Sequence, residues 1–200
     1  MLLKNKTAVI TGSNKGIGFE ILKKFSENGA NIFACTRTID EDFLSNISSI
    51  NEQYKNNITP IELDLANENN VKEAANKILN FDKPIDILIN NAGTIQTSLF
   101  QMSSLKKLNE IFEINFFSQT IFTQFILKSM VKKKSGSIIY ISSSASLDGN
   151  EGRSSYAASK AALNAQAKVL SRELGGINIR VNVIAPGLTN TDMMSKNTPK

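Results

Sequence analysis

The sequence predicts an α/β fold of the doubly wound kind, a parallel sheet with helices on both faces. Short apolar runs near Thr7 to Thr11, Asn31 to Cys35, Thr59 to Asp64, Ile85 to Asn90, Ser137 to Ile141 and Asn178 to Ala185 alternate with helical patterns. Runs of that kind, bounded by Gly, Asn and Asp, read as buried strands. The intervals between them are long enough for crossover helices. Right-handed crossovers between parallel strands then give three layers, α/β/α, with the strands in the order 3-2-1-4-5-6.

Each element has its own signal. The first run, Ala8-Val9-Ile10, leads into Thr11-Gly12-Ser13-Asn14-Lys15-Gly16-Ile17-Gly18, after which Ile17, Ile21, Leu22 and Phe25 repeat at helical spacing. A strand, a glycine turn and a helix N-terminus leave backbone N–H groups bare, so a pyrophosphate can sit at the positive end of the helix dipole. Gly29 suits the end of that helix, and Asp40, Asn67 and Ser103 suit the N-caps of the second, third and fourth helices. Leu108, Ile111 and Phe112 continue the fourth, and a long apolar helix ending near Met130 is followed by Lys132-Lys133-Lys134, cations that complement a C-terminal dipole. The last helix carries Ser154-Ser155-Tyr156-Ala157-Ala158-Ser159-Lys160. Tyr156 and Lys160, four residues apart, share a helix face. A free tyrosine ionises near pH ~10 and a cation within a few ångströms favours the phenolate, so the pair suits general acid/base work.

Composition narrows the function classes. Two hundred residues, 41% hydrophobic and 20% charged, suit one domain, 1–200, with a substantial core. The chain has no histidine, which excludes a Ser-His-Asp hydrolase and the common histidine metal sites, so no metal is expected. Cys35 is the single cysteine, within an apolar stretch that reads as core. The net charge of +5 is spread among 18 acidic residues without an aromatic platform, which argues against nucleic acid. No apolar run reaches the roughly 18 residues of a membrane span and Met1 to Lys6 is short and polar, so a cytoplasmic protein is expected.

Taken together, Thr11 to Gly18, Asn90-Asn91-Ala92-Gly93, Asn115, Ser143, Tyr156 with Lys160, and Pro186-Gly187 followed by Thr191 resemble the short-chain dehydrogenase/reductase family, over the chain from its N-terminus to about Met194. Gly149 to Gly152 and Asn182 to Gly187 with Thr191-Asp192-Met193 look most like its 3-oxoacyl-[acyl-carrier-protein] reductases. The resemblance implies a Rossmann fold, a nicotinamide cofactor, and reversible hydride transfer between cofactor and a carbonyl or alcohol. It makes Tyr156 the proton donor, Ser143 a hydrogen-bond partner of the same substrate oxygen, and Lys160 the group that tunes the tyrosine and grips the nicotinamide ribose. Asn115 would disturb its helix and hold a water linking the lysine to solvent. Ser142 and Ser144 flank Ser143, and only the spacing to Tyr156 selects the middle serine.

The cofactor contacts implied are Gly12, Ser13, Lys15, Gly16, Ile17 and Gly18 in the glycine turn, Asp64 with Leu65 at the adenine, Asn91, Ala92 and Gly93 at the adenosine ribose, then Tyr156, Lys160, Pro186, Gly187 and Thr191. Arg37 stands after the second strand, where an acidic residue would select NAD, and with Lys15 it favours NADP(H). Expected partners are a small carbonyl substrate or acyl thioester, an acidic acyl carrier protein docked on Lys132 to Lys134 with Arg172, and a second copy of the chain through the long fourth and fifth helices. Sugar and polyol reductases share parts of the pattern. Relatives continue past Thr191 with a substrate-covering segment and a seventh strand, so a C-terminally short domain is expected, with an exposed edge at its sixth strand. A catalytically weak NADP(H)-binding or scaffold protein is the second functional reading.

Overall fold

The apolar runs become strands because they are covered on both faces, as a parallel sheet requires. The computed structural model describes residues 1–191. Its strands are β1 (Thr7–Thr11), β2 (Asn31–Thr36), β3 (Ile58–Glu62), β4 (Ile87–Asn90), β5 (Gly136–Ile141) and β6 (Ile179–Ile184). They lie in one sheet in the order β3-β2-β1-β4-β5-β6, and every pairing is parallel. All five residues of β1 are buried.

Side chains alternate across the sheet and feed two cores. On one face Ile10, Ile32, Ala34, Ile58 and Ile89 pack against Leu22 of α1 (Gly16–Glu27) and Phe43, Ile47 and Ile50 of α2 (Glu41–Tyr54). On the other, Val9, Phe33, Cys35, Leu88, Ile138 and Tyr140 meet three helices. These are α3 (Glu68–Leu79), α5 (Ser118–Lys133) and α7 (Ser154–Gly175), through residues such as Val71, Phe122 and Leu163. Two shorter helices, α4 (Leu105–Phe112) and α6 (Ala145–Asp148), lie near the C-terminal ends of the strands. Among the described residues, no helix is long and apolar enough to cross a membrane and no cluster of His, Cys, Asp or Glu could hold a metal ion.

Asp40 and Asn67 cap α2 and α3 as the sequence predicts, accepting from the amides of Phe43, Asn69 and Asn70. The fourth cap falls one residue later. Ser104 accepts from the Lys107 amide, whereas the Ser103 hydroxyl is drawn back to the Leu99 carbonyl at 3.3 Å. The fourth strand begins at Ile87 rather than Ile85, and Asp86 just ahead of it bonds through backbone and side chain alike, its amide donating to the Thr7 carbonyl and its carbonyl accepting from the Ser137 amide, both at 2.9 Å. The carboxylate accepts from the Thr7 amide at 2.9 Å, from Lys6 Nζ at 3.2 Å, and from Lys133 Nζ. Burial alone would raise this carboxyl, but the bonds from Lys133, Thr7 and Lys6 outweigh it and hold Asp86 below its ordinary value. Lys133 therefore ties the end of α5 to the start of β1. Lys132 and Lys134 stay exposed.

Candidate functional site

The C-terminal ends of the strands carry the site, beginning with the glycine turn between β1 and α1. A Cβ on Gly18 would lie 2.1 Å from the Gly12 carbonyl oxygen and 2.5 Å from Asn91 Nδ2, so only glycine fits there. The Asn91 amide donates to the carbonyls of Thr11 and Gly12 at 2.9 and 3.1 Å. Thr11 Oγ1 in turn accepts from the amides of Asn91 and Ala92, both at 3.0 Å. The strand that ends in Asn90 thus grips the turn that follows β1. Ser13 is fully buried, and both its amide and its hydroxyl bond the Cys35 carbonyl, so it fastens the turn to β2. The N-terminus of α1 has no side-chain cap and no acidic residue in its first turn. Ile17, in that first turn, is half-buried. Bare N–H groups on the positive end of a dipole are a receptor for a phosphate.

Lys15 stands at the N-cap of α1 and Arg37 directly after β2, both exposed. Asp64 lies two residues past β3, where its carboxylate accepts from the Ala66 amide and its own amide donates to Asn70 Oδ1. Leu65 beside it is buried. Thr191 folds back over the glycine turn, with its Cγ2 3.4 Å from where a Cβ on Gly16 would be. Pro186 begins this return, its carbonyl accepting from the Ser144 amide at 2.9 Å, and Gly187 follows it exposed. Asp192, Met193 and Met194 lie outside the described residues.

Asn115 sits in a π turn, Glu113–Phe117, between α4 and α5. Its side chain is fully buried and fully used. Oδ1 accepts from the Thr94 amide at 2.8 Å, while Nδ2 donates to the Thr94 carbonyl at 2.9 Å and to Ser159 Oγ at 3.0 Å. Ser159 passes its own proton to the Tyr156 carbonyl at 2.7 Å. A π turn displaces helix hydrogen bonds, which is the distortion expected at position 115.

Tyr156 and Lys160 occupy one face of α7 and are 8% and 3% exposed. The lysine Nζ donates to the Ile141 carbonyl at 2.8 Å and lies 6.0 Å from the centre of the tyrosine ring. A Cβ on Gly93 would come 3.3 Å from that Nζ and 3.1 Å from Asn115 Oδ1, so the glycine admits both groups to one corner. Burial lowers the Lys160 ammonium from 10.5 to about 8. Tyr156 packs against Ile95 and Ala145, which sets it beside the segment that holds Ser143. Of the three adjacent serines, Ser142 spends its proton on the Lys160 carbonyl at 3.2 Å and Ser144 is held through its amide to Pro186. Ser143 Oγ accepts from the Ala145 amide at 3.2 Å, which leaves its own proton available to a further acceptor.

A model of the short chain dehydrogenase family matches residues 6–200. The chain belongs to the short-chain dehydrogenase family. The 3-oxoacyl-[acyl-carrier-protein] reductase of Chlamydia trachomatis serovar D is 36% identical over 192 residues, which are 96% of this chain and 77% of that protein. The 3alpha-hydroxysteroid dehydrogenase of Mediterraneibacter gnavus is also 36% identical, over 199 residues, 98% of this chain and 78% of that protein. The crystal structure of L-sorbose reductase from Gluconobacter frateurii, complexed with NADPH and L-sorbose, matches at a TM-score of 0.92 with 28% identity, covering 98% of this chain and 74% of that one.

The residues of this short-chain dehydrogenase fit a dinucleotide: Gly18 lets α1 pack closely on the turn, and the uncapped start of that helix leaves the bare N–H groups that a pyrophosphate needs. Sequence reasoning missed the groups that hold the site together, namely Thr11 under the glycine turn, Ser159 under Asn115, and Gln119, whose Nε2 donates to the Ala92 carbonyl at 2.6 Å. Thr11 was legible as the first residue of the turn motif. Ser159 and Gln119 are ordinary helix residues in sequence, and only tertiary contact gives them a part.

Proposed function

We propose that this short-chain dehydrogenase is an NADP(H)-dependent reductase that converts a carbonyl, most readily that of a 3-oxoacyl thioester, to an alcohol. The observation that carries the reading is Lys160: a lysine stripped of water, fixed on the Ile141 carbonyl and set one helical turn from Tyr156 beside Gly93. A buried cation has no reason to be there for stability, since its burial is costly, and perturbed groups of this kind mark functional sites.

When bound, the nicotinamide supplies hydride. Tyr156 delivers its phenolic proton to the substrate oxygen as the carbonyl carbon is reduced, and Ser143 donates to the same oxygen, holding it against the tyrosine. Lys160 retains two further N–H groups beyond its bond to Ile141, one for the phenol and one for a ribose hydroxyl. Asn115 keeps the Thr94 loop and α7 in register. Arg37 and Lys15 carry the charge that a 2'-phosphate seeks, which supports NADPH over NADH. Exposed Leu147 and Leu188 flank the segments of Ser143 and Pro186, and exposed Leu99, Phe100 and Met102 follow Ser98, whose amide is tied to Gly152 just ahead of α7. An apolar rim of this kind suits an acyl chain better than a sugar. Lys132, Lys134 and Arg172 remain exposed for an acidic carrier, while Lys133 is engaged by Asp86. Self-association would use α4 and α5, where Phe117 is half exposed.

Initial rates with NADPH or NADH and three carbonyl probes test the proposal: acetoacetyl thioester, L-sorbose and a 3-oxo steroid. Preference for NADPH with the thioester is expected. A preference for sorbose or the steroid moves the substrate class, and no turnover of any of them favours a cofactor-binding protein without catalysis.

A further inference from the structure

Asn164 lies four residues beyond Lys160 and eight beyond Tyr156, so α7 presents all three on one face. Its Nδ2 donates to Ser146 Oγ at 2.9 Å, and Ser146 Oγ donates to the Ser143 carbonyl at 2.6 Å. A serine hydroxyl has a single proton, so this chain runs one way, from Asn164 through Ser146 to the backbone of Ser143. Ser142 joins it from the side, with its Oγ 3.3 Å from Ser146 Oγ and donating to the Lys160 carbonyl at 3.2 Å. The peptide that carries Ser143 is therefore tied twice to the helix that carries Tyr156 and Lys160. Among the described residues, Asn164 Oδ1 is buried without a partner. A buried amide with an unsatisfied oxygen costs stability, and packing alone would be served better by an apolar side chain.

We propose that Asn164 and Ser146 form a positioning brace that sets the Ser143 hydroxyl at working distance from Tyr156, an inference that rests on the reductase reading for its kinetic consequence. Neither residue touches the reacting atoms. Both act through Ser143, whose segment is otherwise held by the Ser142 and Ser144 amides on Ile184 and Pro186. Loss of the brace should let the serine drift without disturbing the glycine turn, and a misplacement of about 1 Å costs on the order of a hundredfold in rate.

The test compares the intact chain with Ser146→Ala, Asn164→Ala, Ser146→Thr and Ser143→Ala, together with Asn164→Ala placed on Ser143→Ala. Single-turnover reduction of acetoacetyl thioester by bound NADPH should slow by about ten- to a hundredfold in Ser146→Ala and in Asn164→Ala. NADPH affinity should stay within about twofold, and Ser146→Thr, which keeps the hydroxyl, should recover most of the rate. Asn164→Ala should add nothing once Ser143 is already Ala, because the brace then has nothing to position. A merely structural role would lower stability without this dependence on Ser143. Wild-type rates in both single variants, or a full further loss on the Ser143→Ala background, would overturn the brace. Amide hydrogen exchange of residues 142–148 supplies a readout that needs no turnover. Exchange there should quicken in Ser146→Ala and Asn164→Ala, and unchanged exchange in both brace variants would overturn the proposal. If the wild type reduces no carbonyl probe, the reductase reading fails on its own and the exchange measurement still decides the brace.

Discussion

Replacing Lys160 with Met removes the ammonium while keeping an unbranched side chain of similar reach, and the consequence for stability follows from the burial of that one group. The lysine titrates near 10.5 in the unfolded chain and at about 8 in the folded protein, with desolvation the cause. At about 1.4 kcal/mol per pH unit, that depression amounts to roughly 3 kcal/mol. The unfolded state binds the extra proton between those two values, so stability rises with pH across the window. The stabilisation is complete above 10.5 and is lost as pH falls through 8. Cys35 and Tyr140, whose ionisations are pushed up by burial, act in the opposite sense at alkaline pH. They are present in both chains and drop out of the difference. At neutral pH, Lys160→Met relieves the buried charge but loses the bond to the Ile141 carbonyl, worth about 1 to 3 kcal/mol, so the two proteins should be within about 2 kcal/mol of each other. Urea unfolding of the cofactor-free proteins from pH 7 to 10 measures this. The wild type should gain on Lys160→Met by about 2.5 kcal/mol across the range, and parallel curves would refute the assignment of Lys160 as a buried, desolvated cation.

The same titration should reach catalysis: kcat/KM for NADPH, which reports the free enzyme, should fall as pH rises through about 8 because the cation beside Tyr156 is lost. Arg37→Asp should reverse or erase the preference for NADPH over NADH, a change of about one to two decades in the ratio of dissociation constants measured by fluorescence titration. Asp86→Asn should destabilise the fold by about 1 to 3 kcal/mol in urea, since it weakens the bonds from Lys6, Lys133 and Thr7 at once, while leaving NADPH affinity unchanged. Phe122→Ala, at a fully buried position in the larger core, should cost about 3 to 5 kcal/mol in the same assay.

The fold was legible because its strands are unusually plain, apolar on both faces and set off by Gly, Asn and Asp. What the pattern does not show is who takes each polar side chain. Ser103 looks like a cap until the Leu99 carbonyl claims its hydroxyl, and the buried Asp86 carboxylate is held by Lys6 and Lys133, far away in sequence. The candidate site was legible where a motif carries its own geometry, as in the glycine turn and the Tyr156–Lys160 spacing. The supporting contacts were not. Nothing local announces that Ser159 receives the Asn115 amide or that Asn164 reaches Ser146, because each contact joins separate segments. The three serines at 142 to 144 show the same limit: spacing selects the middle one, but only the bonds made by its neighbours explain why they are engaged elsewhere.

Delivery of the proton by Tyr156 in an NADPH-driven carbonyl reduction is decided by single-turnover reduction of acetoacetyl thioester, compared between the wild type and Tyr156→Phe. With NADPH affinity matched in the two proteins, the wild type should oxidise bound NADPH promptly and Tyr156→Phe should do so more slowly by about two to four decades. Equal rates in the two proteins would contradict it.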